Sequence, residues 1–297
     1  MEKNNLNKNI KWLSWFVGFF EGDGNFQIHY KHLATRYVQS TEMLIDKENS
    51  APLGAEAKAG ENIINEKERS LDSKTRLGYS INISLSQIDL EMLEDIKKNL
   101  NDIGTIYVYP KRNEARLAIW KKDEVRLLIE NVFDIYPLIT DHQKDRYANL
   151  RYGFLNNITL FHNLQELEEF KNKKNLFLTS LSLCAPQFLD NWILGILNSE
   201  GCFYTRPKKD GSNLLVFQIE HTDKKVLDII KSRFKFRPTI FERAERSINQ
   251  KKTYSLYISS KLDITTIIEF CENPTLNGLS GNKKTQFKNW KEKRKTI

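Results

Sequence analysis

Phe16-Val17-Gly18-Phe19-Phe20-Glu21-Gly22-Asp23-Gly24 returns later in the chain as Ile193-Leu194-Gly195-Ile196-Leu197-Asn198-Ser199-Glu200-Gly201. Gly18 and Gly195, Asp23 and Glu200, and Gly24 and Gly201 are each 177 positions apart. Each copy is an apolar helical stretch with small residues four apart, Gly18 and Gly22 in one and Gly195 and Ser199 in the other. Residues at that spacing share a helix face, and small side chains there let a second backbone approach, as GxxxG pairs do between membrane helices. Packed on each other, the two copies define a pseudo-twofold axis and carry Asp23 and Glu200 to the same end. One apolar helix ending in Asp-Gly is common; two in fixed register, each with its acid, are not.

Two adjacent carboxylates at neutral pH either share a proton or are neutralised by a divalent cation. Oxygen ligands with no His or Cys nearby suit Mg²⁺ and disfavour zinc. Mg²⁺ held by few protein ligands fills its shell with water and substrate phosphate, an arrangement suited to phosphodiester hydrolysis. The balance of charge agrees, since a formal +8 favours a polyanionic partner. With 40% hydrophobic and 28% charged residues the chain is globular. Its longest apolar runs, Trp15 to Phe20 and Trp192 to Leu197, are too short to cross a bilayer, so no membrane partner is expected. The Asn- and Lys-rich start shows no secretory signal, and the Asn157-Ile158-Thr159 sequon is then read as chance. Cys184, Cys202 and Cys271 form no CxxC pair and read as incidental thiols in a reducing compartment.

Periodicity supplies the organisation. A helix is expected from about Lys11 to Glu21, broken by Gly22 and Gly24, followed by a strand alternating Phe26, Ile28 and Tyr30 with Gln27, His29 and Lys31. Residues 40–74 lack a period and read as a long insertion. A strand at Gly78 to Ser86 leads to a helix capped by Asp89. Strands at 104–109 and 115–121, joined by a turn at Lys111-Arg112-Asn113, and helices at 123–133 and 140–154 complete the half. The second half repeats the order: strands at 202–208 and 214–220, a helix at 224–234, strands at 239–243 and 253–258, and helices at 264–271 and 282–293. Residues 160–186, with the polar run Glu166 to Asn175, read as a linker between halves 1–159 and 187–297.

The two motifs resemble the LAGLIDADG signature, and from about Leu13 to Trp290 the chain is similar to single-chain LAGLIDADG homing endonucleases. The resemblance implies an α+β fold of two pseudo-symmetric αββαββα repeats in one monomer, its antiparallel sheets forming a saddle on DNA. It places the metal on Asp23 and Glu200, with the preceding Gly22 and Ser199 in the metal set, and leaves Glu21 and Asn198 outside it. Two or three Mg²⁺ ions are implied, with Ca²⁺ supporting binding without cleavage. Gln87 and His221 fall where the family positions water, and Leu279-Ser280-Gly281-Asn282-Lys283 nominates Lys283 to stabilise phosphate charge. In the first half, Pro137-Leu138-Ile139-Thr140-Asp141-His142 puts His142 where lysine is expected.

Antiparallel strands with a polar face can enter the major groove and meet base edges. Candidate readers are Gln27, His29, Lys31, Ser80, Asn82, Ser84, Tyr107, Tyr109 and Lys111 in the first half, and Tyr204, Arg206, Lys208, Gln218, Arg243 and Arg246 in the second. The C-terminal cluster Lys283, Lys284, Lys288, Lys291, Lys293, Arg294 and Lys295 reads as phosphate contact or as a solvated tail. The leading expectation is a monomeric, Mg²⁺-dependent, site-specific double-strand DNA endonuclease with a long asymmetric target, in a mitochondrial setting by family. An intron RNA maturase of the same fold is the chief alternative, and a catalytically weakened DNA-binding protein or nickase the other. Both acids favour cleavage, because RNA binding requires no metal pair.

Overall fold

The computed structural model describes residues 9–33, 74–172, 186–209, 211–244 and 252–293. The stretch 40–73 of the expected insertion, together with Arg246, Arg294 and Lys295, lies outside them.

Helix α1 (Ile10–Asp23) starts at Asn9, whose side-chain oxygen accepts from the backbone N–H groups of Lys11 and Trp12 at 3.1 and 3.3 Å. It is buried on all sides from Trp12 to Glu21, because it faces both a sheet and a second helix. That second helix is α6 (Pro186–Glu200), in which Trp192, Ile193, Leu194, Ile196 and Leu197 are wholly buried. The seam between them is built on the small residues. A Cβ at Gly18 would lie 2.1 Å from the Trp192 carbonyl oxygen, and one at Gly195 would lie 2.1 Å from that of Trp15. Those four positions form two pairs related by the same 177-residue shift, which is the signature of a pseudo-twofold axis. The expected break at Gly22 is not found. The helix runs on to Asp23, and Gly22 serves the seam instead, since a Cβ there would lie 2.2 Å from the Ser199 hydroxyl oxygen.

Each helix feeds a four-strand core of the same order. The first comprises β1 (Gly24–His32), β2 (Thr75–Ser86), α2 (Leu90–Asn99), β3 (Thr105–Tyr109) and β4 (Glu114–Ile119), in the strand order β1-β2-β4-β3. After α6 come β6 (Gly201–Pro207), β7 (Asn213–His221), α7 (Lys224–Phe234), β8 (Phe241–Arg243) and β9 (Thr253–Ile258), in the order β6-β7-β9-β8. The antiparallel pairs Ile83–Leu117 and Phe217–Ile258 correspond, so the offset between halves has fallen to 134 on the second strand. The loss reflects the connection between the first two strands, 33–74 in one half and only 208–212 in the other. This register makes Gln87 the counterpart of His221 and Asp89 that of Asp223.

The first half closes with α3 (Lys122–Leu128), which runs into a π-helical turn at Ile129–Phe133, and α4 (Asp141–Leu155); the second closes with α8 (Lys261–Cys271) and α9 (Gly281–Glu292). One continuous apolar core joins both motif helices, the inner faces of both sheets and these closing helices. The architecture is thus the expected α+β arrangement of two repeats.

The chain partitions into a larger compact unit, holding these elements apart from the outer ends of β1 and β2, and a smaller one whose described residues are 29–33, 74–78 and 158–172. In the smaller unit β5 (Leu160–Phe161) pairs with the start of β2 through Thr75–Phe161 and Arg76–Leu160. Helix α5 (Leu164–Asn172) packs Phe170 on Phe161 at 5.3 Å between ring centroids. Residues 160–172 are therefore structured rather than a bare linker. Leu164, Leu167 and Phe170 recur every three residues, a helical stripe masked by the surrounding charges.

Candidate metal centre and nucleic-acid face

Asp23 and Glu200 are the last residues of α1 and α6, so the glycine seam that crosses the helices brings their carboxylates together. A Cβ on Gly22 would stand 3.0 Å from Glu200 Oε1. Burial, and then the charge of Glu200, push the Asp23 carboxyl up to about 7, with Asp89 adding to the rise and Lys283 opposing it. Glu200 is raised too, first by burial and then by Glu220, again against Lys283. Burial lowers the Lys283 ammonium, while Cys202, Asp23, Glu200 and Asp89 hold it up. These groups are crowded and incompletely neutralised. Asp23 and Lys283 open on a polar cleft of about 260 Å³, shared with Ser84, Asp89, Ser199 and Gln286. Among the described residues no group of three or more His, Cys, Asp or Glu side chains is placed to hold a metal. A cation on Asp23 and Glu200 would complete its shell with other oxygens.

The cleft is assembled crosswise from the two halves. Glu21, fully buried, accepts from the backbone N–H groups of Ile139 and Thr140 at 2.7 and 2.6 Å and from the Trp192 indole at 2.9 Å. Its counterpart Asn198 accepts from Ser280 N–H at 2.6 Å. Both motif helices thus grip the loop before their own half's last helix, and Glu21 and Asn198 are occupied there, away from Asp23 and Glu200. The helix ends are held from the opposite half. Asp89 does not cap α2 with its side chain; its Oδ1 accepts from Asn282 N–H at 2.6 Å, at the start of α9. Asp223 caps its own α7 through Lys225 N–H at 3.0 Å and also accepts from Asp141 N–H at 3.0 Å, at the start of α4.

The same geometry corrects one pairing. Lys283 Nζ donates to the Gly201 carbonyl, and Gln143 Nε2 donates to the Gly24 carbonyl at 2.8 Å. Gly24 and Gly201 are equivalent, so the counterpart of Lys283 is Gln143, not His142. His142 matches Asn282, and its ring faces His221 at 6.1 Å between centroids. The motif Pro-Leu-x-Thr misplaced the register by one, because Ser280 aligns with Thr140 through their shared hold by Asn198 and Glu21. His221 is buried, which lowers its pKa against the opposing pull of Asp223, and its Nδ1 accepts from Asp223 N–H at 2.9 Å. Gln87, half-buried, begins the short turn ahead of α2 at the matching corner.

The strand candidates divide by exposure. Ser80 and Asn82 are buried, and Asn82 Nδ2 donates to Ser80 at 2.8 Å and to Gln27 at 3.3 Å, so they support Gln27 from beneath. Ser84 is half-buried and accepts from Arg116 Nε at 3.0 Å. Arg116, absent from the sequence candidates, belongs to this face because the register pairs it with Ser84, and its guanidinium also lies 5.7 Å from the Tyr109 ring centre. Tyr107 and Lys111 are exposed on β3 and on the turn after it. In the second sheet Tyr204 donates to Gln218 at 2.9 Å and Gln218 to Ser255 at 3.1 Å, while Arg206 and Lys208 are exposed. Arg243 pairs with Glu220 at 2.8 Å. His29, its pKa lowered by burial, and the exposed Lys31 lie on the outer part of β1 within the smaller unit.

Comparison with known proteins accords with this geometry. A family model described as LAGLIDADG endonuclease matches residues 56–150. The probable intron-encoded endonuclease Cox1-I1b of Schizosaccharomyces pombe is 24% identical over 286 residues, covering 93% of this chain and 62% of that protein, so the chain spans less than two thirds of its length. The LAGLIDADG meganuclease I-AabMI, solved bound to uncleaved DNA, superposes with a TM-score of 0.64 at 18% identity, over 94% of this chain and 89% of that one. The LAGLIDADG homing endonuclease I-GzeII, solved with a DNA target, gives 0.62 at 21% identity, over 94% and 88%. The chain thus matches the LAGLIDADG endonuclease model over residues 56–150 and shares its fold with solved LAGLIDADG meganucleases.

Proposed function

We propose that this protein is a site-specific endonuclease that hydrolyses phosphodiester bonds in both strands of a long, asymmetric DNA site with Mg²⁺, acting as a monomer. One observation carries the reading. Two equivalent helices end in carboxylates that are half-buried beside each other, and burial first and then the charge of Glu200 raise Asp23. A pair of hard oxygen donors in that state fits a divalent cation, and two or three Mg²⁺ ions would be held by Asp23 and Glu200 with Gly22 and Ser199 adjoining. When bound, Mg²⁺ supplies positive charge to the scissile phosphate and acidifies water.

The chain's own residues do the rest. Lys283 holds an ammonium in the cleft against developing phosphate charge. Gln87 and His221 occupy equivalent strand ends, where each can orient water, and His142 stands against His221. The polar sheet faces, with Gln27, Arg116, Tyr204, Arg206 and Gln218, are suited to base edges, and the lysines of α9 to phosphates. An intron-encoded gene, as in the fungal relative's name, is the proposed setting, and an organelle its proposed location by the family resemblance. The test is a randomised duplex library incubated with Mg²⁺, its cut ends sequenced. Ends sharing one site support the reading. Absence of cutting, with tight binding to a structured intron RNA, refutes it in favour of a maturase.

A further inference from the structure

The register of the first sheet puts an apolar patch on a face that is otherwise polar. Thr105 pairs with Ala118 and Tyr107 with Arg116, and on the other side of β4 Ala118 pairs with Asn82 and Arg116 with Ser84. Paired residues share a face and successive side chains alternate, so Trp120, two positions beyond Ala118, continues that face just past the end of β4. Its ring meets that of Tyr107 edge-on, with centroids 6.2 Å apart and an interplanar angle of 81°. Ala118 lies between the two rings in register and is 1% exposed, whereas Trp120 is 52% and Tyr107 39% exposed. The other four of the five tryptophans are at most 7% exposed. Trp120 therefore gives the core little and keeps its apolar surface open for contact, beside the polar Arg116 and Ser84.

We propose, on the endonuclease reading above, that Trp120 and Tyr107 form a pocket for the C5-methyl group of a thymine and so fix a T·A pair in the half-site read by the first sheet. In the major groove the base pairs present hydrogen-bond donors and acceptors, and the thymine methyl is the one apolar group among them. A polar face selects bases by hydrogen bonds, so an apolar patch within it has that methyl as its complement. The patch can also be placed along the target. Ser84 lines the carboxylate cleft, and Trp120 follows it two rows further out on the sheet. At two residues to a row this is about 14 Å, or several base pairs outward from the bonds that are broken. Trp120 thus acts on the choice of target and touches none of the reacting atoms.

The experiment uses the full chain in Ca²⁺ and the duplex it cleaves. Each thymine of the first sheet's half-site is replaced in turn by uracil, which removes the methyl and nothing else. One replacement should weaken binding about fourfold, the worth of a single buried methyl group. In Trp120→Gln that replacement should have no further effect, while Trp120→Phe, which keeps an apolar ring, should retain the sensitivity. Acrylamide should quench the fluorescence of the free wild type chiefly through Trp120, and the bound duplex should remove that quenching. These two wild-type measurements stand whether or not Trp120→Gln folds. A half-site in which no thymine is sensitive, equal sensitivity in Trp120→Gln and wild type, or quenching unchanged by the duplex would each overturn the methyl pocket. Failure to cut any duplex in Mg²⁺ would instead remove the endonuclease reading, and the methyl pocket with it.

Discussion

Replacing Asp23 by Asn removes a carboxyl that the fold holds protonated well above its ordinary range. Burial and Glu200 raise it from 3.8 to about 7, and at 1.36 kcal/mol for each pKa unit this corresponds to about 4 kcal/mol. The sign follows from proton linkage. Between pH 4 and 7 the native state keeps a proton that the unfolded chain releases, so this contribution is complete below about pH 4 and is lost as pH rises through 7. Metal-free wild type should therefore lose up to about 4 kcal/mol more than Asp23→Asn across that window. Above pH 7 and without metal, the variant should be the more stable of the two. Mg²⁺ at a hundredfold its dissociation constant should restore about 2.7 kcal/mol to the wild type at pH 8, and much less to the variant. Urea denaturation at four pH values, with and without Mg²⁺, measures all of this. Parallel pH curves for the two proteins would refute the crowded, incompletely neutralised pair.

Three further outcomes follow from packing and hydrogen bonding. Gly195→Ala places a methyl 2.1 Å from the Trp15 carbonyl oxygen and 2.5 Å from Phe19 N, both backbone atoms, so the helices must part and unfolding should ease by about 3 kcal/mol, seen in thermal melts. Glu21→Ala strands the N–H donors of Ile139, Thr140 and Trp192 and should cost about 3 kcal/mol or more in denaturant unfolding. Asp89→Ala removes the cap on α9 and should cost about 1 kcal/mol and slow cleavage through Lys283, whereas Asp89→Asn, which can still accept from Asn282 N–H, should recover most of both.

The repeat was legible because it is written in local terms. Small residues four apart, an acid and a glycine at one register, and strand alternation all lie within a few residues of one another. Glu21 and Asn198 could be set aside as ligands, yet their actual partners, the N–H groups of Ile139 and Ser280, are about 120 and 80 residues away in sequence. The same distance hid the exchange of caps by Asp89 and Asp223. It also shifted the Lys283 counterpart by one residue, since only the contacts with Gly24 and Gly201 fix that register. Ser80 and Asn82 fit the polar alternation of β2 but are buried, with Asn82 hydrogen-bonded to Ser80 and to Gln27. Helix α5 was missed because three apolar residues were outnumbered by charged neighbours.

Metal-dependent cutting by matched variants tests the central claim most directly, that each half supplies one carboxylate to a shared reaction centre. With one cleaved duplex, wild type should give double-strand product in Mg²⁺, while Asp23→Asn and Glu200→Gln should give none and still bind the duplex in Ca²⁺. Cutting at the wild-type rate by either variant would contradict the account.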